Sequence, residues 1–272
     1  MLVLPKAWIE YWQGQDVFEQ LSALEGRVYR EQDGRKTLRF TFSGKNYFAK
    51  FHHGVGWKKI IKNLLQLRLP VLGAQNEWRA IQRLEELGIK TTRLVGYGKR
   101  GWNPARLESF VITEELANTV SLEDFCRDWP TSPPSYALKR ALITEVAKIA
   151  RTLHENGINH RDFYICHFLL DISAGQEGID PRRLLLYLID LHRMQIRDCI
   201  PRRWRVKDIG SLYFSSMDIG LTKRDLLRFI WVYRNKPLRA TLSEDKVFWR
   251  QVKRRAIALY SEFFQKDPTL LW

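Results

Sequence analysis

A change of hydrophobic period near Leu116 narrows the possible folds of this sequence more than anything else in it. From Arg27 to Phe51, β-forming residues alternate with turn residues. Arg27-Val28-Tyr29-Arg30, Thr37 to Phe42 and Tyr47 to Phe51 read as strands, with turns at Gln32-Asp33-Gly34 and Ser43-Gly44. This is the pattern of a three-stranded meander. Trp78, Ile81, Leu84 and Leu87 then recur at helical spacing and stop at Gly88, which predicts an amphipathic helix with a glycine C-cap. Two more strands are expected around Leu94 to Tyr97 and Phe110 to Thr113.

Beyond Leu116 the helical period takes over. Ser121-Leu122-Glu123-Asp124 resembles an N-cap with an acidic residue at N3. The stretch from Ala137 to Glu155 puts Leu138, Leu142, Val146, Ile149 and Leu153 on one face, with Gly157 as its stop. A short loop carries His160-Arg161-Asp162. Apolar Phe168-Leu169-Leu170 follows, then a strand-like run from Leu184 to Ile189 that ends at Asp190. From Lys207 to Trp272 the chain reads as basic amphipathic helices with aromatic punctuation. No repeat, low-complexity tract or linker interrupts it. The expected organisation is a lobe at 1–116 and a second lobe at 117–272.

Charge sets the class of partner. With 45 Lys and Arg against 30 Asp and Glu, the net charge of +15 predicts attraction to phosphates, nucleic acid, anionic lipid or acidic proteins. No aromatic RNA motif or helix-turn-helix signature accompanies it, so nucleic acid is not the expected partner. Cys126, Cys166 and Cys199 lie far apart, without the close pairs of a zinc or redox site, and reduced thiols are expected. Cys166 has apolar neighbours, which argue for an inert buried thiol. Met1 to Ile9 lacks the pattern of a signal peptide and no stretch is long enough to span a bilayer, so the protein is expected to be soluble or bound at a membrane surface.

The order of elements carries the chemistry. A sheet with a lysine is followed by a helix with a glutamate, a sheet, a long helix, a His-Arg-Asp loop and a strand that ends in aspartate. Phosphoryl transfer from ATP needs a cation on the α- and β-phosphates, a carboxylate holding a metal, and a second carboxylate that takes the hydroxyl proton. Lys50, Asp190 and Asp162 match these three needs.

The sequence resembles the protein-kinase-like superfamily, through Asn159-His160-Arg161-Asp162, Lys50 in Tyr47-Phe48-Ala49-Lys50, and Asp190 in Leu188-Ile189-Asp190-Leu191-His192. The resemblance implies an α+β, bilobal protein-kinase-like fold: a small antiparallel-sheet N-lobe with one main helix, and a larger, mostly helical C-lobe, with ATP in the cleft. It also implies Glu77 as ion-pair partner of Lys50, backbone groups of Glu114 and Leu116 as adenine contacts, Asp162 as catalytic base and Asp190 as the Mg²⁺ ligand. Two departures stand out. His167 occupies the place of a metal-binding asparagine, five residues after Asp162; it serves either a metal or phosphate contact, or packing. The loop Arg30-Glu31-Gln32-Asp33-Gly34-Arg35 has one glycine where G-x-G-x-x-G is usual, so arginines are expected to share the phosphate contacts. His160 is expected to brace the loop, Arg161 to be a framework residue pairing with a carboxylate, and Asp208 to be a framework acid at a helix start.

Within that superfamily the chain is similar to the lipopolysaccharide core kinases of Gram-negative bacteria, in particular those acting on heptose(I). The likeness runs through Gly54-Val55-Gly56-Trp57, Lys62-Asn63-Leu64-Leu65, Leu69-Pro70-Val71-Leu72-Gly73-Ala74, Val111 to Leu116, Tyr164 to Leu170 and Ile189 to Arg193. It implies transfer of the ATP γ-phosphate to the 4-hydroxyl of the first inner-core heptose, with acyl carrier protein as an associated partner. Such an acceptor, lipid A-Kdo-heptose, carries carboxylates and phosphates that suit a cationic surface. A cytoplasmic site at the inner face of the inner membrane follows. The segment at about 52–74, with Lys58, Lys59 and Lys62 among apolar residues, is expected to meet that anionic membrane surface or the glycolipid, and His52-His53 to lie on a solvated loop. Alternative acceptors are Kdo, a second heptose, an aminoglycoside-like molecule or a protein tyrosine. From another class, the departures at His167 and the glycine loop fit a weakly catalytic basic binding module.

Overall fold

In the computed structural model the described residues are 1–32, 34–54, 56–57, 61, 73–175 and 178–270. They form two compact units, Met1–Glu86 with Thr91–Ala117, and Leu87–Lys90 with Asn118–Trp272.

The first unit is built on an antiparallel sheet of β1 (Leu2–Val3), β2 (Arg27–Gln32), β3 (Arg35–Phe42), β4 (Lys45–His52), β5 (Leu94–Arg100) and β6 (Glu108–Glu114), in the order β1-β5-β6-β4-β3-β2. The β3–β4 hairpin closes as expected at Ser43-Gly44, whose φ angles of 48° and 75° give the mirror-image turn that suits the strand twist. Alternation on β4 buries Tyr47, Ala49 and Phe51 on one face and sends Lys50 to the other. The buried face is covered by two short helices that the sequence reading did not anticipate, α1 (Lys6–Tyr11) and α2 (Val17–Ser22), which bring Trp8, Trp12 and Leu21 onto Leu38, Phe40 and Phe110. Burial of each such side chain is worth about 1.5–3 kcal/mol. The main helix, α3 (Gln75–Glu86), buries Trp78, Ala80, Ile81 and Leu84, and Trp78 stacks on Tyr97 at 4.9 Å. Gly88 follows with φ 71°, the left-handed stop that the sequence predicts.

The second unit holds β7 (Thr119–Ser121), α4 (Leu122–Phe125), α5 (Tyr136–Glu155), β8 (Ile158–Asn159), β9 (Phe168–Asp171), β10 (Leu186–Leu188), β11 (Gln195–Ile196), and helices α6 (Arg202–Ser215), α7 (Lys223–Arg234), α8 (Leu238–Glu244) and α9 (Lys246–Phe264). Ser121 caps α4 through Asp124, as predicted. The long helix α5 buries Leu142, Val146, Ile149 and Leu153 and ends at Gly157, where φ is 75° and a Cβ would collide with the Arg197 carbonyl. Two small pairings shape the loop that follows. β8 pairs with β11, Asn159 opposite Gln195, and β9 pairs with β10, Phe168 opposite Leu188. The expected strand from Leu184 to Ile189 is thus shorter at both ends, because its partner β9 is only four residues long.

The fold class is the expected one: α+β, with a small antiparallel sheet and main helix in one unit and a mostly helical larger unit. One local expectation fails. His52 is the last residue of β4 and is buried, because alternation breaks at the strand end; only His53 is exposed, within 3.7 Å of Glu108. Most of the basic segment at 52–74, including Lys58, Lys59 and Lys62, lies outside the described residues; Trp57 and Ile61 within it are exposed. Among the described residues no helix is long and apolar enough to cross a membrane.

Candidate active site

Lys50 leaves β4 on the face opposite the aromatic core, where α3 presents Glu77. Their Nζ and Oε1 atoms are 2.6 Å apart, with Glu77 buried. A carboxylate so placed holds an otherwise mobile ammonium in one position, ready for an anion. Glu114 closes β6; its amide donates to the Arg93 carbonyl at 3.0 Å and its side chain meets Arg93 at 3.3 Å. With its amide engaged, any contact of Glu114 with a base edge has to use the carbonyl. Leu116 lies two residues on, in the irregular chain that follows the sheet.

The His-Arg-Asp loop in the second unit is held by a carboxylate. Asp208, fully buried in α6, accepts from the His160 amide at 2.7 Å and the Arg161 amide at 2.9 Å, and lies 3.4 Å from His154 Nε2. The framework role predicted for Asp208 holds, but its position does not. It sits inside α6, which begins at Arg202, so its own backbone is satisfied by the helix and its side chain is free to serve the loop. Arg161 has φ 76°, a conformation that a bulky side chain adopts only under constraint, and the Asp208 contact to its amide supplies one. His160 is completely buried and Nε2–H donates to the Ile189 carbonyl at 3.0 Å. Burial pushes its pKa below the usual histidine value, with the Asp208 charge opposing, so it braces the loop as a neutral ring.

Asp162 and Asp190 are linked through His167. His167 Nδ1–H donates to the Asp162 carbonyl at 2.7 Å, which fixes the tautomer. Its Nε2 lone pair therefore faces Asp190 Oδ2, 3.6 Å away. Two acceptors pointed at one another need a cation or a proton between them. That spacing suits two ligands of one metal at about 2.1 Å each, so the donor set fits a divalent ion. On its other side Asp190 Oδ1 takes His192 Nδ1–H at 2.6 Å. Asp190 itself has φ 61°, a second left-handed non-glycine residue beside the same loop. Among the described residues no group of three or more His, Cys, Asp or Glu is placed to hold a metal alone. A metal here would complete its shell with phosphate and water oxygens, the usual habit of Mg²⁺.

The sequence reading missed Arg193. Its Nη1 lies 2.8 and 3.0 Å from the two oxygens of Asp162. The β8–β11 pairing brings residues 31 positions apart into contact, and the only available signal was that Asp162 lacks a cation two or four residues downstream, where Tyr164 and Cys166 stand. Cys166 is half-buried, and burial pushes its thiol up to about 11, which suits the inert role expected of it. Deeper in the same unit, Leu142, Val146, Ile209, Leu212, Phe229 and Trp249 line an apolar cavity of about 100 Å³.

Comparison with known proteins matches this architecture. The model of the family described as "Lipopolysaccharide kinase (Kdo/WaaP) family" matches residues 19–233. A protein of Pseudomonas aeruginosa named lipopolysaccharide core heptose(I) kinase WaaP is 51% identical over 95% of this chain and 96% of its own length. Its namesake in Escherichia coli K12 is 52% identical over 90% of this chain and 92% of its own. A solved structure described as WaaP in complex with acyl carrier protein superposes with a TM-score of 0.83 at 46% identity, covering 96% of this chain and 99% of that one. With an ion-paired lysine on the sheet, a loop histidine set between the Asp162 carbonyl and the Asp190 carboxylate, and a family match across most of its length, this chain belongs to the lipopolysaccharide kinase (Kdo/WaaP) family.

Proposed function

We propose that this protein is an ATP-dependent kinase that phosphorylates the first heptose of the lipopolysaccharide inner core, at its 4-hydroxyl. The observation that supports the chemistry is the linkage of Asp162 to Asp190 through His167, in a chain about half identical to named heptose(I) kinases over nearly its full length.

In this reading Lys50, oriented by Glu77, takes the α- and β-phosphates of ATP, and backbone groups of Glu114 and Leu116 take the adenine. Asp190 and His167 hold Mg²⁺, which when bound neutralises charge on the phosphates. Asp162 orients the acceptor hydroxyl and takes its proton as the new O–P bond forms and the bond from the γ-phosphorus to the β–γ bridging oxygen breaks, releasing ADP. A carboxylate offers about four lone-pair sites, so Arg193 fixes its plane and still leaves room for the acceptor O–H. In the same reading Arg193 has one further effect. As the proton arrives Asp162 loses charge, and the guanidinium is freed to face the negative charge spreading over the transferring group.

The partners follow the family. Net charge and the exposed Trp57 and Ile61 support a position at the inner face of the inner membrane, beside its anionic lipid. Acyl carrier protein is the proposed protein partner. A small acidic protein suits a basic surface, and the apolar cavity among α5, α6, α7 and α9 has the chemistry to shelter part of an acyl chain. The deciding experiment incubates the protein with ATP, Mg²⁺ and dephosphorylated inner core. Mass spectrometry and NMR should find one new phosphate on the 4-hydroxyl of the first heptose, lost in Asp162→Asn and in Asp190→Asn. Phosphate on Kdo, a second heptose or a tyrosine instead, or unchanged transfer in Asp162→Asn, would overturn the reading.

A further inference from the structure

Four cations converge on a single indole. The guanidinium carbons of Arg161, Arg197 and Arg203 lie 5.3, 5.8 and 5.6 Å from the Trp204 ring centroid, and Lys207 Nζ lies at 5.5 Å. Ring contacts of this kind are individually weak, whereas four like charges repel one another in six pairs. Asp162 and Asp208 offset this in part through their charges on Arg161, and Glu262 lines the groove beside Trp204. Among the described residues none of the four forms an ion pair with a carboxylate: Asp162 is taken by Arg193, and Asp208 by two backbone amides. Among the described residues the Arg197 guanidinium hydrogen-bonds to the neutral side-chain oxygens of Asn159 and Gln195.

The same neighbourhood holds buried donors with no acceptor. Arg161 Nε, Trp204 Nε1 and Arg255 Nε are all buried without a hydrogen-bond partner among the described residues. An unmet buried donor is costly, and acceptor oxygens from outside the chain would relieve that cost. Trp204, Lys207, Arg203 and Arg255, with Glu262, line an open groove of about 700 Å³ on α6 and α9. Burial pulls the Lys207 pKa down, and Arg161 and Arg193 pull it further, while the charge of Asp162 opposes them. The field of the candidate base therefore reaches this cluster.

We propose that Trp204, Arg161, Lys207 and Arg255, with Arg203 at the rim, form an acceptor subsite that binds a sugar carboxylate flanking the hydroxyl to be phosphorylated. The proposal rests on the kinase reading above for the identity of the glycan. Kdo carboxylates next to the heptose have the right chemistry: planar oxygens that accept in pairs from guanidinium and indole N–H groups. Occupation by such an anion would cancel the mutual repulsion and meet the orphaned donors, and it would position the heptose hydroxyl toward Asp162.

The test is calorimetric binding of lipid-free Kdo-heptose oligosaccharide to the full chain, alongside the same oligosaccharide with its carboxylates methyl-esterified and a phosphate-bearing lipid A backbone. Lys207→Gln and Arg255→Gln should each weaken binding of the free acid at least tenfold, and Lys207→Arg should restore most of it. The esterified glycan should bind wild type and variants equally weakly. Arg203→Gln, at an exposed rim position, should weaken binding several-fold and serves if a buried variant fails to fold by circular dichroism. Unchanged affinity in the variants, no effect of esterification, or binding of the lipid A backbone in preference to the oligosaccharide overturns the subsite. Phosphate transfer is read separately: a glycan that binds through these residues and is never phosphorylated refutes the kinase reading and leaves the subsite standing.

Discussion

Asp208→Ala isolates what positions the catalytic loop. The substitution removes the acceptor of two buried amides, those of His160 and Arg161, from a side chain with no exposure. Each orphaned donor costs about 1–3 kcal/mol, so the loss is about 2–6 kcal/mol, and the His154 contact at 3.4 Å adds little. At about 1–3 kcal/mol per molar urea the unfolding midpoint should fall by about 1 M or more. Asp208→Asn keeps one acceptor and should fall roughly half as far. Transfer activity should drop more steeply than stability, since Arg161 loses a contact that holds φ at 76° immediately before Asp162. The assay pairs urea titration, followed by tryptophan fluorescence, with phosphate transfer to dephosphorylated inner core by the same preparations well below the midpoint. Asp218→Ala, which removes only a carboxylate that accepts from the Tyr260 hydroxyl, is the control. A midpoint for Asp208→Ala within about 0.3 M of wild type, or full transfer in that variant, would refute this account of the loop.

Three further outcomes are expected. Lys50→Met should cut transfer by about 10²–10³ with the thermal midpoint nearly unchanged, and Glu77→Gln by less, since the ammonium remains but loses its brace; steady-state kinetics with ATP varied will tell. Gly157→Ala should destabilise by about 2 kcal/mol or more, read as a lowered thermal midpoint, because φ is 75° and the added Cβ would meet the Arg197 carbonyl. His160 binds its proton less readily when folded than when unfolded, so stability should fall as pH drops below about 6.5, by at most about 1.4 kcal/mol per pH unit from this group. Thermal midpoints from pH 7.5 to 5.5 will show the slope, and His160→Gln should flatten it.

The sequence was legible where structure is local. Ser43-Gly44, Gly88, Ser121 and Gly157 each name a turn or cap whose dihedral or hydrogen bond is set within a few residues, and each appears where predicted. The period of α5 likewise depends only on its own apolar stripe. What stayed hidden depends on separate segments meeting. Two six-residue helices carry too few turns to show a period, so Trp8 and Trp12 gave no sign that they roof the sheet. Arg193 reaches Asp162 only through a two-residue ladder, and Asp208 reaches the loop from inside a helix whose start lies further upstream than the hydrophobic pattern implied. In the active-site region the carboxylates were readable as residue types, but their bracing was not.

The left-handed backbone at Asp190 puts durability and chemistry in opposition. Glycine would relax there at a gain of order 1 kcal/mol, so the variant most favoured by a heat-based screen at this position is one without the carboxylate proposed to bind the metal. Efforts to harden this protein for crystallography or inhibitor work should therefore hold position 190 fixed, and expect any thermostable isolate altered there to combine a sound scaffold with lost transfer.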